Sequence, residues 1–277
     1  MVYEQRVDRN HPGCIVLLVD QSHSMTEEIA SQPGRNKAVA LCDALNSVLY
    51  ELVLRCIKDP SEGPRHYYDV GVIGYGQAVG PALQGALAGR QLVSISDIGN
   101  HPLRVESRTR ADLDAPTKQV RFPVWFEPRA ANGTPMSAAI DLAGSVVAPW
   151  VTAHPDSFPP IVINISDGAA TDGDPRQWAQ RLQALSTTDG NVLFFNVNLS
   201  ALSTDPLYFP NNSSGLNDEY ARTLFDMSST LPEFMCSMAK QRGLQAESGS
   251  RGFVFNADIT AVIQFLQIGT ATHHMLG

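Results

Sequence analysis

The sequence predicts an α/β fold: a doubly wound, mainly parallel central sheet with helices on both faces. Three observations carry this expectation. Short, continuously apolar runs of strand length alternate with longer segments whose apolar residues recur at helical spacing. The short runs are apolar on both sides of the pleat, as strands covered by helices on both faces must be. Carboxylate and hydroxyl residues follow directly after several runs, and right-handed crossovers bring all such strand ends to one sheet edge.

The first strand covers residues 14–19 (CIVLLV) and runs into Asp20-Gln21-Ser22-His23-Ser24. Leu41, Leu45, Val48, Leu49, Leu52 and Cys56 then mark a long amphipathic helix. Gly63-Pro64 punctuates the chain, and residues 68–75 (YDVGVIGY) read as a second strand, with Gly71, Gly74 and Gly76 at points of close packing or bending. Residues 77–118 have weak periodicity. They read as an elaboration inserted in the fold, with short strands at 90–95 and 103–107. Residues 120–126 (VRFPVWF) read as a strand, and Pro123 assigns it to an edge. Trp125 and Phe126 read as core.

Thr134-Pro135 opens an Ala-rich helix over 136–147, with proline well placed at a first helical turn. Residues 159–166 (PPIVINIS) form a buried strand ending at Asp167-Gly168. Asp174-Pro175 starts a helix ending near Gly190, and 191–199 is another strand. A polar loop, 200–217, precedes helices at 219–227 and 232–242. The last strand is 252–256, and Asp258 caps a final helix over 259–268. We read residues 1–277 as one domain with the 77–118 elaboration.

Composition limits function. The formal net charge is -8 and no Lys/Arg block occurs, which argues against nucleic-acid or anionic-membrane partners. No stretch approaches the ~20 apolar residues of a membrane span. Residues 1–10 carry Glu4, Arg6, Asp8 and Arg9 and no apolar core of a signal peptide. The four cysteines lack zinc-type spacing and read as buried free thiols, so a cytoplasmic location is expected.

Three loops share one chemistry. Asp20, Ser22 and Ser24 follow the first strand, Thr134 precedes a helix, and Asp167 follows a strand. Two carboxylates and three hydroxyls are the donors of a hard divalent cation such as Mg²⁺, or Mn²⁺ or Ca²⁺, and not of zinc. Taken singly, each residue reads as a turn or cap residue. His23 reads as a bystander, and His66, His101, His154, His273 and His274 as surface groups. Asp172 and Asp174 read as helix caps, since the full calcium-loop spacing is missing. No nucleophile elbow surrounds Ser22, and no zinc-protease or phosphate-loop motif occurs.

The three loops, in this order, resemble the von Willebrand factor A (vWA) domain family. Asp20, Ser22 and Ser24 match its D-x-S-x-S metal-ion-dependent adhesion site (MIDAS) motif, Thr134 its second-loop threonine and Asp167 its third-loop aspartate. The resemblance covers roughly residues 12–269. It implies a Rossmann-like vWA fold in which Ser22, Ser24 and Thr134 hold the cation directly. Asp20 and Asp167 would act largely through waters or hydrogen bonds. It further implies that an Asp or Glu of a protein partner completes the coordination, without catalysis. Among relatives the chain looks like stand-alone intracellular bacterial types, including the tellurite-resistance-associated one, which implies a signalling or stress-response adaptor working with kinases and phosphatases. The rival expectations are a metal-dependent phosphoester hydrolase and a structural subunit with a vestigial site.

Overall fold

The computed structural model describes residues 3–29, 34–59, 61–112, 115–200 and 205–270. The strands are β1 (Gly13–Asp20), β2 (Tyr68–Tyr75), β3 (Val79–Pro81), β4 (Val93–Ser94), β5 (Arg104–Asp112), β6 (Ala115–Val124), β7 (Ile161–Ser166), β8 (Ser186–Thr187), β9 (Gly190–Asn191), β10 (Leu193–Leu199), β11 (Leu207–Tyr208) and β12 (Phe253–Ala257). The helices are α1 (Lys37–Arg55), α2 (Ile95–Asn100), α3 (Met136–Ala153), α4 (Arg176–Gln183), α5 (Glu219–Met227), α6 (Glu233–Gln241) and α7 (Ile259–Gly269).

The central sheet has the order β11-β12-β10-β7-β1-β2-β3, with β4 also on β2. Pairings among β2, β1, β7, β10 and β12 are parallel, whereas β3, β4 and β11 run antiparallel at the margins. The doubly wound, mainly parallel fold is therefore present. Alternation along β1 shows why its whole run is apolar. Ile15, Leu17 and Val19 join the core under α1 and α7, while Cys14, Val16 and Leu18 join the core under α3, α4 and α5. Successive strands are laid outward in one direction from β1 and in the other from β7. The sheet reverses between these two strands, where an open α/β sheet leaves a crevice beyond its strand ends.

Helix starts follow their capping residues. The Asn36 side chain accepts from the Val39 amide at 2.9 Å, and Asp258 accepts from the Ala261 amide at 2.7 Å. Helix α3 is long and apolar enough, by length and composition, to cross a membrane. Its buried face packs on β1 and β2, which is the behaviour of a core helix.

Four expectations change. Residues 90–95 form only the two-residue β4, because the Ser94 hydroxyl accepts from the Asp97 amide and starts α2 at once. The strand at 120–126 belongs to β6, which pairs with β5 in a separate two-stranded ribbon, so Pro123 sits opposite Val105 and outside the central sheet. Trp125 and Phe126 leave that ribbon and are buried, held by the α1 residue Asn46. Its side chain accepts from the Trp125 amide and donates to the Phe126 carbonyl. Helix α3 extends to Ala153 and carries Pro149 within its last turns. Helix α4 stops at Gln183, since β8 and β9 close a small hairpin before Gly190 is passed. The elaboration at 77–118 thus supplies the margin strands β3 and β4, helix α2, strand β5 and the start of β6.

Gly76 follows β2 beneath the first loop. A Cβ there would run into the Gln21 carbonyl oxygen and lie 3.0 Å from the Ala131 carbonyl oxygen. Both atoms are backbone and cannot swing aside. Gly76→Ala is expected to destabilise the chain by about 1–3 kcal/mol, the usual cost of overpacking, measured by urea unfolding. An unchanged midpoint would show that the loop yields freely.

Candidate metal centre

Asp20 is the last residue of β1 and is in register with Tyr75. Asp20 as a whole is 1 % exposed. One carboxylate oxygen accepts from the Ser22 amide at 2.8 Å and the other from the Ser166 hydroxyl at 2.6 Å. A single 3-10 turn, His23–Thr26, then carries Ser24 and buries Met25. The Ser22 and Ser24 hydroxyls lie 2.9 Å apart, and Ser24 donates to an Asp167 oxygen at 2.6 Å. Four of the five expected residues are therefore joined by hydrogen bonds across the β1–β7 switch point, with Ser166 as an additional link.

The second loop is docked by backbone. The Ala131 amide donates to the Gln21 carbonyl at 2.7 Å, and the His23 amide donates to the Asn132 carbonyl at 2.9 Å. Thr134 is 5 % exposed. Its amide donates to the Thr171 hydroxyl, and its carbonyl accepts from the Thr171 amide, both at 2.9 Å. Asp172 accepts from the Ser137 and Ala138 amides and so caps α3, whose own N-cap position is a proline. Asp172 is thus a cap, but of the preceding helix. Asp174 accepts from the Arg176 amide and caps α4. Among the described residues no hydrogen bond joins the Thr134 hydroxyl to the other four site residues. Its placement rests on the backbone docking.

Burial pushes the Asp20 carboxyl above its usual range. The hydrogen bonds from Ser166 and Ser22 oppose the rise, and the nearby Asp167 charge adds to it. No salt bridge joins Asp20 to a basic group among the described residues. Asp167 is different. Lys37, the first residue of α1, places its Nζ 2.5 Å from the second Asp167 oxygen and 2.8 Å from Glu27 Oε2. Burial lowers the Lys37 pKa, but the hydrogen bonds and charges of Asp167 and Glu27 outweigh it and raise the pKa overall. Tyr220, near the start of α5, is also close. Burial drives its phenol pKa well up, with Ser166, Asp20, Asp167 and Asn198 all acting on it, and its hydroxyl is buried with no hydrogen bond.

Sequence reasoning missed Lys37, Ser166, Thr171 and Tyr220. One signal existed for Lys37: it lies in phase with Leu41 and Leu45 on the buried stripe of α1, and a lysine there needs an anion. The histidines fall largely as expected. His23, His66 and His101 are exposed, whereas His154 is half-buried and stacked on Trp150. His273 and His274 lie outside the described residues. The four cysteines are free and buried. Burial pushes the Cys42 and Cys56 thiols up to about 12, which leaves them poor nucleophiles.

The donor set can be tested against a cation. Among the described residues no group of three or more His, Cys, Asp or Glu is placed to hold a metal, so any bound ion depends on hydroxyls. A hydroxyl-rich set with two carboxylates suits a hard cation that keeps some of its waters. The buried Asp20 carboxylate, which has no basic partner among the described residues, is the feature such an ion would satisfy.

No family model matches the chain, and no curated protein matches it. Among solved structures it is similar to the ArnB paralog VWA2 from Sulfolobus acidocaldarius, at 12 % identity and a TM-score of 0.33, covering 69 % of this chain and 35 % of that one. It is also similar to the three N-terminal domains of the type V pili tip protein Mfa5 from Porphyromonas gingivalis. There the identity is 13 % and the TM-score 0.30, with 58 % of this chain and 20 % of that one covered. The chain thus spans about a third and a fifth of these two relatives.

A carboxylate whose pKa is raised by folding favours the native state fully below its unfolded pKa. That contribution is lost as pH rises through the raised value. At neutral pH the ionised Asp20 therefore costs stability in metal-free protein. Asp20→Asn removes this cost, and Ser166 can turn its hydroxyl to the Gly168 carbonyl, 3.0 Å away, and accept from the new amide. The expected result is a melting temperature at pH 7, in chelator, at or above wild type. The gain should shrink as pH falls toward 4. A clear loss at pH 7 would show that the carboxylate is compensated by charge.

Proposed function

We propose that this chain is a vWA-type domain that binds a protein partner through a Mg²⁺-class cation, without catalysis. The observation that carries the reading is the Asp20–Ser22–Ser24–Asp167 cluster at the sheet's switch point. Within it, a buried carboxylate has no basic partner among the described residues. Ser22, Ser24 and Thr134 would hold the ion through hydroxyl oxygens, and Asp20 and Asp167 through waters or hydrogen bonds. The ion supplies a Lewis-acidic point to which an Asp or Glu of the partner can bind. With few anionic ligands on the chain, that point stays strongly electrophilic. Free, buried cysteines support a cytoplasmic setting, and the acidic net charge of -8 supports a protein partner over nucleic acid or membrane. An adaptor role in signalling, alongside kinases or phosphatases, belongs to the same reading.

One observation favours a second reading, a structural subunit with a vestigial site: the Lys37 ammonium already pairs with Asp167. The two readings part on metal dependence. Calorimetric titration of Mg²⁺ into metal-free protein should give saturable binding, weakened at least about tenfold (about 1.4 kcal/mol) by Asp20→Ala or Thr134→Ala. Partner capture should then fall in chelator. Capture unchanged by chelator, with no heat of Mg²⁺ binding, would leave the structural reading standing.

A further inference from the structure

We infer that Lys37 is a specificity-determining residue of the cation site, an internal ammonium that balances Asp167 and holds the site's intrinsic affinity for a divalent ion down. The inference rests on the metal-binding reading above.

The geometry points this way. Lys37 is 4 % exposed, and its Nζ sits between Asp167, whose side chain is fully buried, and Glu27, whose side chain is 63 % exposed. Solvent screens Glu27, so Asp167 is the anion that the ammonium chiefly neutralises. The other Asp167 oxygen accepts from Ser24 at 2.6 Å, and Ser24 in turn touches Ser22. A cation held by those two hydroxyls would therefore share Asp167 with Lys37. Two positive groups at one buried carboxylate repel each other, and burial strengthens the repulsion. Asp20 alone then remains to balance the ion. A dication in this site keeps more unneutralised charge than it would beside two free carboxylates. That surplus weakens the ion's hold in the free chain and sharpens its attraction for a carboxylate brought by a partner. The lysine is placed by the fold: Asn36 caps α1 and the Lys37 amide donates to the Glu27 carbonyl at 3.0 Å, so α1 starts against the turn that carries Ser24.

The experiment is a calorimetric titration of Mg²⁺ alone into the metal-free full chain. Wild type is compared with Lys37→Met, which keeps the aliphatic stem, with Lys37→Arg, which keeps the charge, and with Asp20→Ala. Lys37→Met is expected to bind about tenfold tighter than wild type, equivalent to about 1.4 kcal/mol, and Lys37→Arg to stay near wild type. Mg²⁺ should also raise the melting temperature of Lys37→Met more than that of wild type, because the ion then replaces the missing charge on Asp167. If Lys37→Met folds only with Mg²⁺ present, its melting with and without chelator gives the same comparison, and a larger loss than in wild type supports the inference. Equal or weaker Mg²⁺ binding by Lys37→Met, with Asp20→Ala still impaired, overturns the role of Lys37 and leaves the cation site intact. Absence of binding by every chain overturns the cation site and this inference with it. Binding by Lys37→Met where wild type shows none supports the inference in its strongest form.

Discussion

A carboxylate at the end of a buried strand must be satisfied, and much of the surrounding structure follows from that constraint on Asp20. Burying an ionised carboxylate without a counter-charge costs several kcal/mol. Two donors offset part of that cost: the Ser22 amide from the first loop and the Ser166 hydroxyl from the neighbouring strand. The first contact closes the tight turn that carries Ser22 and Ser24. The second ties β7 to β1 at their ends, beyond the last apolar pair of their register, Val19 and Ile165. The apolar strands hold the scaffold together, and the first loop takes its shape from the demands of this anion.

A second polar line runs through the same sheet. The Tyr75 hydroxyl donates to Asn164 at 2.6 Å, Asn164 donates to Asn196 at 3.0 Å, and Asn196 donates to Ser228 at 3.0 Å. These side chains come from β2, β7 and β10 and from the end of α5, and all four are buried. A chain of satisfied hydrogen bonds across parallel strands admits one register, because a slip would orphan every member. The strand ends, and the site on them, are thereby set to a common level. The third loop adds a clamp of its own. Thr171 and Asp172 grip the backbone of the second loop and the first turn of α3, so Thr134 is positioned from the far side of the sheet's switch point.

The candidate site has two unlike carboxylates. Asp20 has hydrogen bonds but no basic partner among the described residues, while Asp167 has Lys37. Hydroxyls fill the space between them. The two acids are thus compensated differently: one by charge, the other by hydrogen bonds alone among the described residues.

The parts legible in the sequence were those governed by local pattern. Continuous apolar runs revealed β1, β2, β7 and β10, because a strand covered on both faces has no polar side to interrupt the run. The Thr134-Pro135 step revealed the start of α3 and the Asp258 cap that of α7. Helix ends and margin strands were less legible, since β4, the β8–β9 hairpin and the β5–β6 ribbon depend on partners that local pattern does not name. By itself, the sequence determined the fold class and the five oxygen-bearing residues at the ends of elements, through short-range periodicity and spacing. Only the tertiary structure decided the charge balance of the site. Lys37 reaches it from α1 and Tyr220 from α5, and electrostatic compensation acts through space between groups that no local spacing connects.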